Sequence, residues 1–125
     1  MLILFIVTLI SKTLTNKKEC LDESVHILIS QGCFDVQVIE LSKDAFTDYI
    51  ILSSATSQRQ ILATVSKLKA LFRLSNAECK TEGETTSWAL ISGENIVINI
   101  LTEEARDFYS LGDLYFDCKI TNIDT

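Results

Sequence analysis

Apolar positions in this chain fall at helical spacing in some stretches and alternate in others. Leu21, Val25, Leu28 and Ile29 recur at i, i+4, i+7 and i+8, the stripe of a helix lying on a core, and Gly32 is a natural stop just beyond it. Residues 35–41 are rich in β-branched side chains and predict a strand; residues 49–53 predict a second, more continuously apolar one. Ser42, Lys43 and Asp44 form a polar turn between them. Ser57 followed by Gln60 reads as a capping box, in which the glutamine reaches back to the cap. The helix it opens carries Ile61, Val65, Leu68 and Phe72 on one stripe, widened by Leu62 and Leu71, with Arg59, Lys67 and Lys69 on the outer side.

A short strand is expected over 79–82, then a hairpin. Gly93 suits the first central position of a type II′ turn, and that register sets Ser92 opposite Asn95, Leu90 opposite Val97 and Trp88 opposite Asn99. Alternation divides the hairpin into two faces. Ala89, Ile91, Ile96, Ile98 and Ile100 make a wholly apolar face that must be core. Trp88, Leu90, Ser92, Asn95, Val97 and Asn99 make the other, where polar groups alternate with medium apolar ones. Asn95 and Asn99 would need partners if buried, so this face is expected to be shallow and Trp88 to be an interface anchor; the alternative is a tryptophan covered by a helix of its own domain. Thr102 caps a last short helix with Glu103 and Glu104 in its first turn, and the apolar residues among Phe108, Tyr109, Leu111, Leu114 and Tyr115 are expected to tuck onto the sheet.

This order predicts an α/β (α+β) domain, a mixed β-sheet flanked by helices. At 125 residues the chain makes one domain, taken as 17–119, preceded by an apolar extension over 1–16 and followed by a tail over 120–125. Residues 2–10 are apolar except for Thr8, far short of the roughly 20 residues that span a bilayer. The lysines Lys12, Lys17 and Lys18 follow that run rather than precede it, which argues against a secretory signal and a membrane location. The extension is read as poorly packed or as an upstream start, with an extra packed element or a targeting segment as alternatives.

Composition narrows the function. Eleven Lys and Arg against 17 Asp and Glu give a net charge of −6, opposite to what phosphate neutralisation needs, so no direct sequence-specific nucleic-acid binding is expected. An acidic domain suits a basic protein partner. Cys20, Cys33, Cys79 and Cys118 form no C-x-x-C pair, and His26 is the single histidine, so no metal site is expected and the cysteines read as small buried hydrophobes in a reducing compartment. Neither a phosphate-cradling glycine loop nor a nucleophile with an evident base is present, and Asp44 and Asp48 read as a turn residue and a strand-edge carboxylate. No enzyme activity and no cofactor are expected.

Several phrases, in order, resemble the ribosomal silencing factor (Iojap) family. Thr47-Asp48-Tyr49-Ile50-Ile51-Leu52 with Ala55-Thr56-Ser57-Gln58-Arg59 is similar to its strand and helix start, Trp88-Ala89-Leu90-Ile91 and Ile96-Val97-Ile98-Asn99-Ile100 to its hairpin, and Glu104 through Leu111 to its closing phrase. Asp48, Tyr49, Thr56, Ser57, Arg59, Arg106 and Tyr109 carry the family motifs, and Trp88 matches unchanged. Asn99 replaces the family's histidine, Ala55 its glycine, and Ser92-Gly93-Glu94-Asn95 lacks its apolar hairpin tip. The resemblance implies a nucleotidyltransferase-like fold without catalytic residues. It further implies binding to ribosomal protein fourteen of the large ribosomal subunit, steric exclusion of the small subunit, and repression of translation. Trp88, Leu90, Ser92, Glu94, Asn95 and Asn99 are the expected partner-binding residues. A large-subunit assembly factor is the alternative, with a nucleotidyltransferase-like enzyme more remote. The location implied is the cytoplasm, or an organellar matrix if the source is eukaryotic. Self-association into a homodimer is compatible with the sequence.

Overall fold

The computed structural model describes residues 17–115 and 117–123. Three α-helices, α1 (Lys17–Ser30), α2 (Gln58–Leu74) and α3 (Glu103–Tyr109), are described with a short 3-10 helix, Leu111–Tyr115. The strands are β1 (Phe34–Glu40), β2 (Tyr49–Ala55), β3 (Lys80–Glu82), β4 (Trp88–Ser92), β5 (Ile96–Thr102) and β6 (Lys119–Ile123). They form one six-stranded sheet in the order β3-β4-β5-β2-β1-β6. Only the central β2–β5 pair is parallel, aligning Tyr49 with Ile96 and Ala55 with Thr102; the other pairs are antiparallel. The fold is therefore α+β with a mixed sheet.

Period-two alternation gives the sheet two unlike faces. On the first, Val38, Ile51, Ile91, Ile98 and Ile100 meet Leu28 of α1 and Ile61, Val65, Leu68 and Phe72 of α2 in the main core. On the second, Ile39, Ile50 and Leu52 pack against Leu111, Tyr115 and Ile120 in a smaller one. Leu62, expected on the packed stripe of α2, is instead 49% exposed, because the stripe centred on Ile61, Val65 and Leu68 already faces the sheet squarely. Gly32 adopts φ +87 immediately after α1, the left-handed conformation that ends a helix cheaply only as glycine.

Local details differ from expectation for non-local reasons. Ser57 caps α2, accepting from Gln60 N at 3.1 Å. The Gln60 side chain, however, reaches Thr56 rather than Ser57: its Oε1 accepts from Thr56 N at 2.6 Å and from Thr56 Oγ1 at 3.0 Å. Its Nε2 donates to Gln31 O at 2.8 Å, tying the start of α2 to the end of α1. The hairpin register is displaced by two residues, with Ser92 opposite Val97, Leu90 opposite Asn99 and Trp88 opposite Leu101. Gly93 N donates to Ile96 O at 2.8 Å, so the turn lies at Glu94–Asn95. Gly93 is required for space, not for φ: a Cβ there would fall 2.8 Å from Phe72 Cε1.

Residues 120–123, expected in a C-terminal tail, belong to the sheet, and residues 124–125 lie outside the described residues. Strand β6 pairs with β1 from Val36–Ile123 to Glu40–Lys119, completing one edge of the sheet, and Lys119 lies 3.3 Å from Glu40 across that pair. The apolar run over 1–16 lies outside the described residues.

Candidate partner-binding face

The second face of the sheet is only partly covered. Helix α3 crosses one end and is fastened by Arg106, whose guanidinium donates to Ser54 Oγ and Gln37 Oε1, both at 3.0 Å, and to the carbonyl of Asp35. Burial lowers the Arg106 pKa below its ordinary value, against the raising influence of Asp35 and Asp107. Thr102 caps α3, accepting from Ala105 N at 3.3 Å. Leu111 and Tyr115 of the 3-10 helix then tuck onto Ile39, Ile50 and Leu52. Phe108 and Leu114 do not tuck, and stay 81% and 68% exposed. A short helix cannot turn every apolar residue inward, and these two are left facing solvent.

Between this cover and the β4–β5 hairpin lies a groove of about 540 Å³, with Leu90, Ser92 and Val97 in its floor and Phe46, Trp88 and Leu114 around it. Among the described residues, its lining holds no charged side chain. Trp88 is half-buried, its ring 4.8 Å from that of Tyr109 and tilted by 51°, while Phe108 meets Tyr109 edge-on at 5.0 Å. Tyr109 of α3 covers one side of the indole, the alternative expected for Trp88, and the tryptophan also lines the groove.

Asn99 departs from the expected shallow position. It is 6% exposed, its Oδ1 accepts from Trp88 Nε1 at 3.0 Å, and its Nδ2 donates to Ile51 O at 3.3 Å. Ser53 Oγ donates to the Asn99 carbonyl at 2.9 Å. Asn99 is thus a brace bonded at both ends of its amide that fixes the indole, buried because its partners are supplied by the neighbouring strands. Asn95 acts through its backbone, its carbonyl accepting from both Asp48 N and Tyr49 N at 3.2 Å. Glu94 projects at the exposed hairpin tip.

The motif residues therefore divide. Thr56, Ser57 and Arg106 shape the helix starts and the α3 attachment, and Tyr49 packs against the main core on the opposite face. Asp48 is half-buried at the entry to β2, and Arg59 is exposed on α2. Trp88 and Tyr109 meet at the open part of the second face. Phe46, Thr47, Val97 and Leu114 belong to the groove as well. Val97 was already placed on this face by alternation, and Phe46, an aromatic beside the polar turn at 42–44, was a signal left unread; the structure leaves it 78% exposed.

Among the described residues no group of three or more His, Cys, Asp or Glu converges as a metal site, and no helix is long and apolar enough to cross a membrane. His26 is exposed on α1. The four thiols are free; Cys20 and Cys33 are buried, with burial pushing both pKa values up, while Cys79 and Cys118 are partly exposed.

The family model described as "Ribosomal silencing factor during starvation" matches residues 15–125, which take in both sheet faces and β6. The chain belongs to the ribosomal silencing factor family. It is 28% identical over 92 residues to a ribosomal silencing factor of Zymomonas mobilis, spanning 67% of this chain and 69% of that protein. It is 27% identical over 113 residues to a mouse protein named for mitochondrial assembly of the ribosomal large subunit, spanning 82% of this chain but 50% of that protein. Solved structures from Bacillus halodurans and Chromobacterium violaceum share the fold, with TM-scores of 0.72 and 0.69 at 20% and 19% identity; each covers 87% of this chain, and 100% and 85% of the respective neighbour. Family membership ties this chain to ribosome silencing.

Proposed function

We propose that this protein acts at the large ribosomal subunit by docking its half-open sheet face on ribosomal protein fourteen, where its bulk excludes the small subunit and lowers translation. The observation that carries this reading is the family match over residues 15–125. The uncharged groove beside Trp88 supports it by supplying a desolvated centre for an interface, and the net charge of −6 favours a basic partner. Steric exclusion needs neither a catalytic group nor a cofactor, so the protein is read as a regulator and not an enzyme, working in the cytoplasm.

A role in large-subunit assembly is the second reading, favoured by the mouse mitochondrial relative aligned over 113 residues. In that case the working location is an organellar matrix or the site of subunit maturation, and the same face would hold a precursor particle.

Sedimentation of ribosomal subunits at varied magnesium, with and without the protein, tests both. Silencing predicts co-migration with large subunits and fewer joined ribosomes; assembly predicts enrichment on immature particles with joining unchanged. Protein remaining at the top of the gradient, with joining unaffected, overturns the proposal. Trp88→Ala should weaken retention, and a folded variant with unchanged affinity would remove this face from the interface.

A further inference from the structure

Thr47 is 7% exposed, and its hydroxyl has no hydrogen-bond partner. The other such hydroxyl, Ser24, lies on α1 next to the Cys20 thiol and outside the groove lining. Thr47 instead lines the groove, with Phe46 before it in the chain and Ile50, Leu90 and Val97 across from it. The amide and indole groups of the lining are committed: Asn99 is bonded to Trp88 and to Ile51, and the Trp88 N–H is taken by Asn99. A buried hydroxyl left unbonded costs stability, and one retained in the wall of a half-open groove calls for a group that arrives from outside.

We infer that the groove receives an apolar side chain of a basic protein segment, and that Thr47 Oγ1 hydrogen-bonds the backbone next to that side chain. This rests on the docking reading above and names the recognition chemistry within it. The apolar, uncharged lining fits an aliphatic or aromatic anchor and offers no cation to a phosphate. Carboxylates flank the lining residues in the chain: Asp44 and Asp48 on either side of Phe46 and Thr47, Glu94 after Gly93, and Asp113 before Leu114. An anchor flanked by Lys or Arg matches that arrangement, whereas an RNA strand does not. The hydroxyl is shielded in the free protein, so the incoming backbone meets it after a rotamer change of Thr47.

The test compares wild type, Thr47→Val and Thr47→Ser for binding to purified large ribosomal subunits and for thermal unfolding. Valine keeps the shape and removes the orphan, so Thr47→Val should melt at the same temperature or higher yet bind roughly three- to tenfold more weakly, the worth of one hydrogen bond. Thr47→Ser should bind within about twofold of wild type, the hydroxyl being retained. Equal affinity of wild type and Thr47→Val overturns the inference while leaving docking intact, and a lowered melting temperature for Thr47→Val overturns it by revealing an internal partner. Wild-type protein that ignores large subunits overturns both this inference and the docking reading. Binding to protein-free ribosomal RNA as tight as to the subunit overturns the assignment to a protein segment.

Discussion

The two faces of this sheet are built from the same strands and do different work. On the helix-covered face, Ile51, Ile91, Ile98 and Ile100 are fully buried beneath two long helices. On the opposite face, a seven-residue helix and a 3-10 turn cover β1 and β2 but leave Leu90, Ser92 and Val97 half-exposed in a groove. The first face contains little that a core would not require. The second spends buried polar groups on positioning: Asn99 holds Trp88, and Arg106 holds α3. The difference separates residues that make the fold from residues that present a surface, and it does so strand by strand.

The sharpest way to break the comparison is to cut into the sealed face. Ile98→Ala should destabilise by about 2–5 kcal/mol, since it removes a fully buried aliphatic group with no room for collapse between two sheet neighbours and α2. Urea unfolding followed by the fluorescence of Trp88 measures it. A loss below about 1 kcal/mol would mean that the two faces are equally loosely packed.

Asn99→Ala probes the border between structure and surface. It leaves Trp88 Nε1 and the Ile51 carbonyl without their partner and should cost about 1–3 kcal/mol. The indole should also lose its fixed orientation, moving its emission toward that of a solvated tryptophan. Unchanged emission would show that Tyr109 alone holds the ring.

Alkaline pH reaches the sealed face through its buried thiols. Cys20 and Cys33 both lie in the main core, and burial raises both pKa values above the ordinary 9.0. The folded state then keeps its protons where the unfolded chain loses them. Their contribution is therefore fully present below pH 9.0 and is lost as pH rises through 9.0 toward the folded values. A Cys20→Ala/Cys33→Ala variant should show a shallower decline in stability above that pH than the wild type. An identical slope would place the alkaline loss elsewhere.

How much of this was legible in the sequence depends on which contacts are local. The hairpin faces were readable because alternation has period two, and the observed register, displaced by two residues, preserves every face while changing every partner. The register itself was not readable. Gly93 looked like a turn glycine, but its need is clearance from Phe72, and the turn is held by the Asp48 and Tyr49 amides, which come from another strand. Strand β6 was missed because Lys119-Ile120-Thr121-Asn122-Ile123 carries only a faint alternation and takes its order from β1. Asn99 was misplaced for an instructive reason. The argument that a buried asparagine needs partners was right, but those partners lie on β2 and β4 and leave no trace beside it in the chain. The caps at Ser57 and Thr102, being local, were read correctly.

The smallest expected stability effect sharpens the comparison most. Leu114 is 68% exposed at the groove's edge, and substituting an exposed residue outside any buried network changes stability by no more than about 0.5 kcal/mol. Leu114→Ser should therefore unfold with the wild type while binding large subunits more weakly, the reverse of Ile98→Ala, which should lose stability and, while folded, keep its affinity. Measuring unfolding and subunit retention on both variants crosses the two faces against the two properties. If Leu114→Ser retains full affinity while Trp88→Ala loses it, the contact runs along β4 toward Tyr109 and Phe108 and not into the groove. If both lose it, the groove and the aromatic cluster are one continuous surface, as their shared residue Trp88 implies.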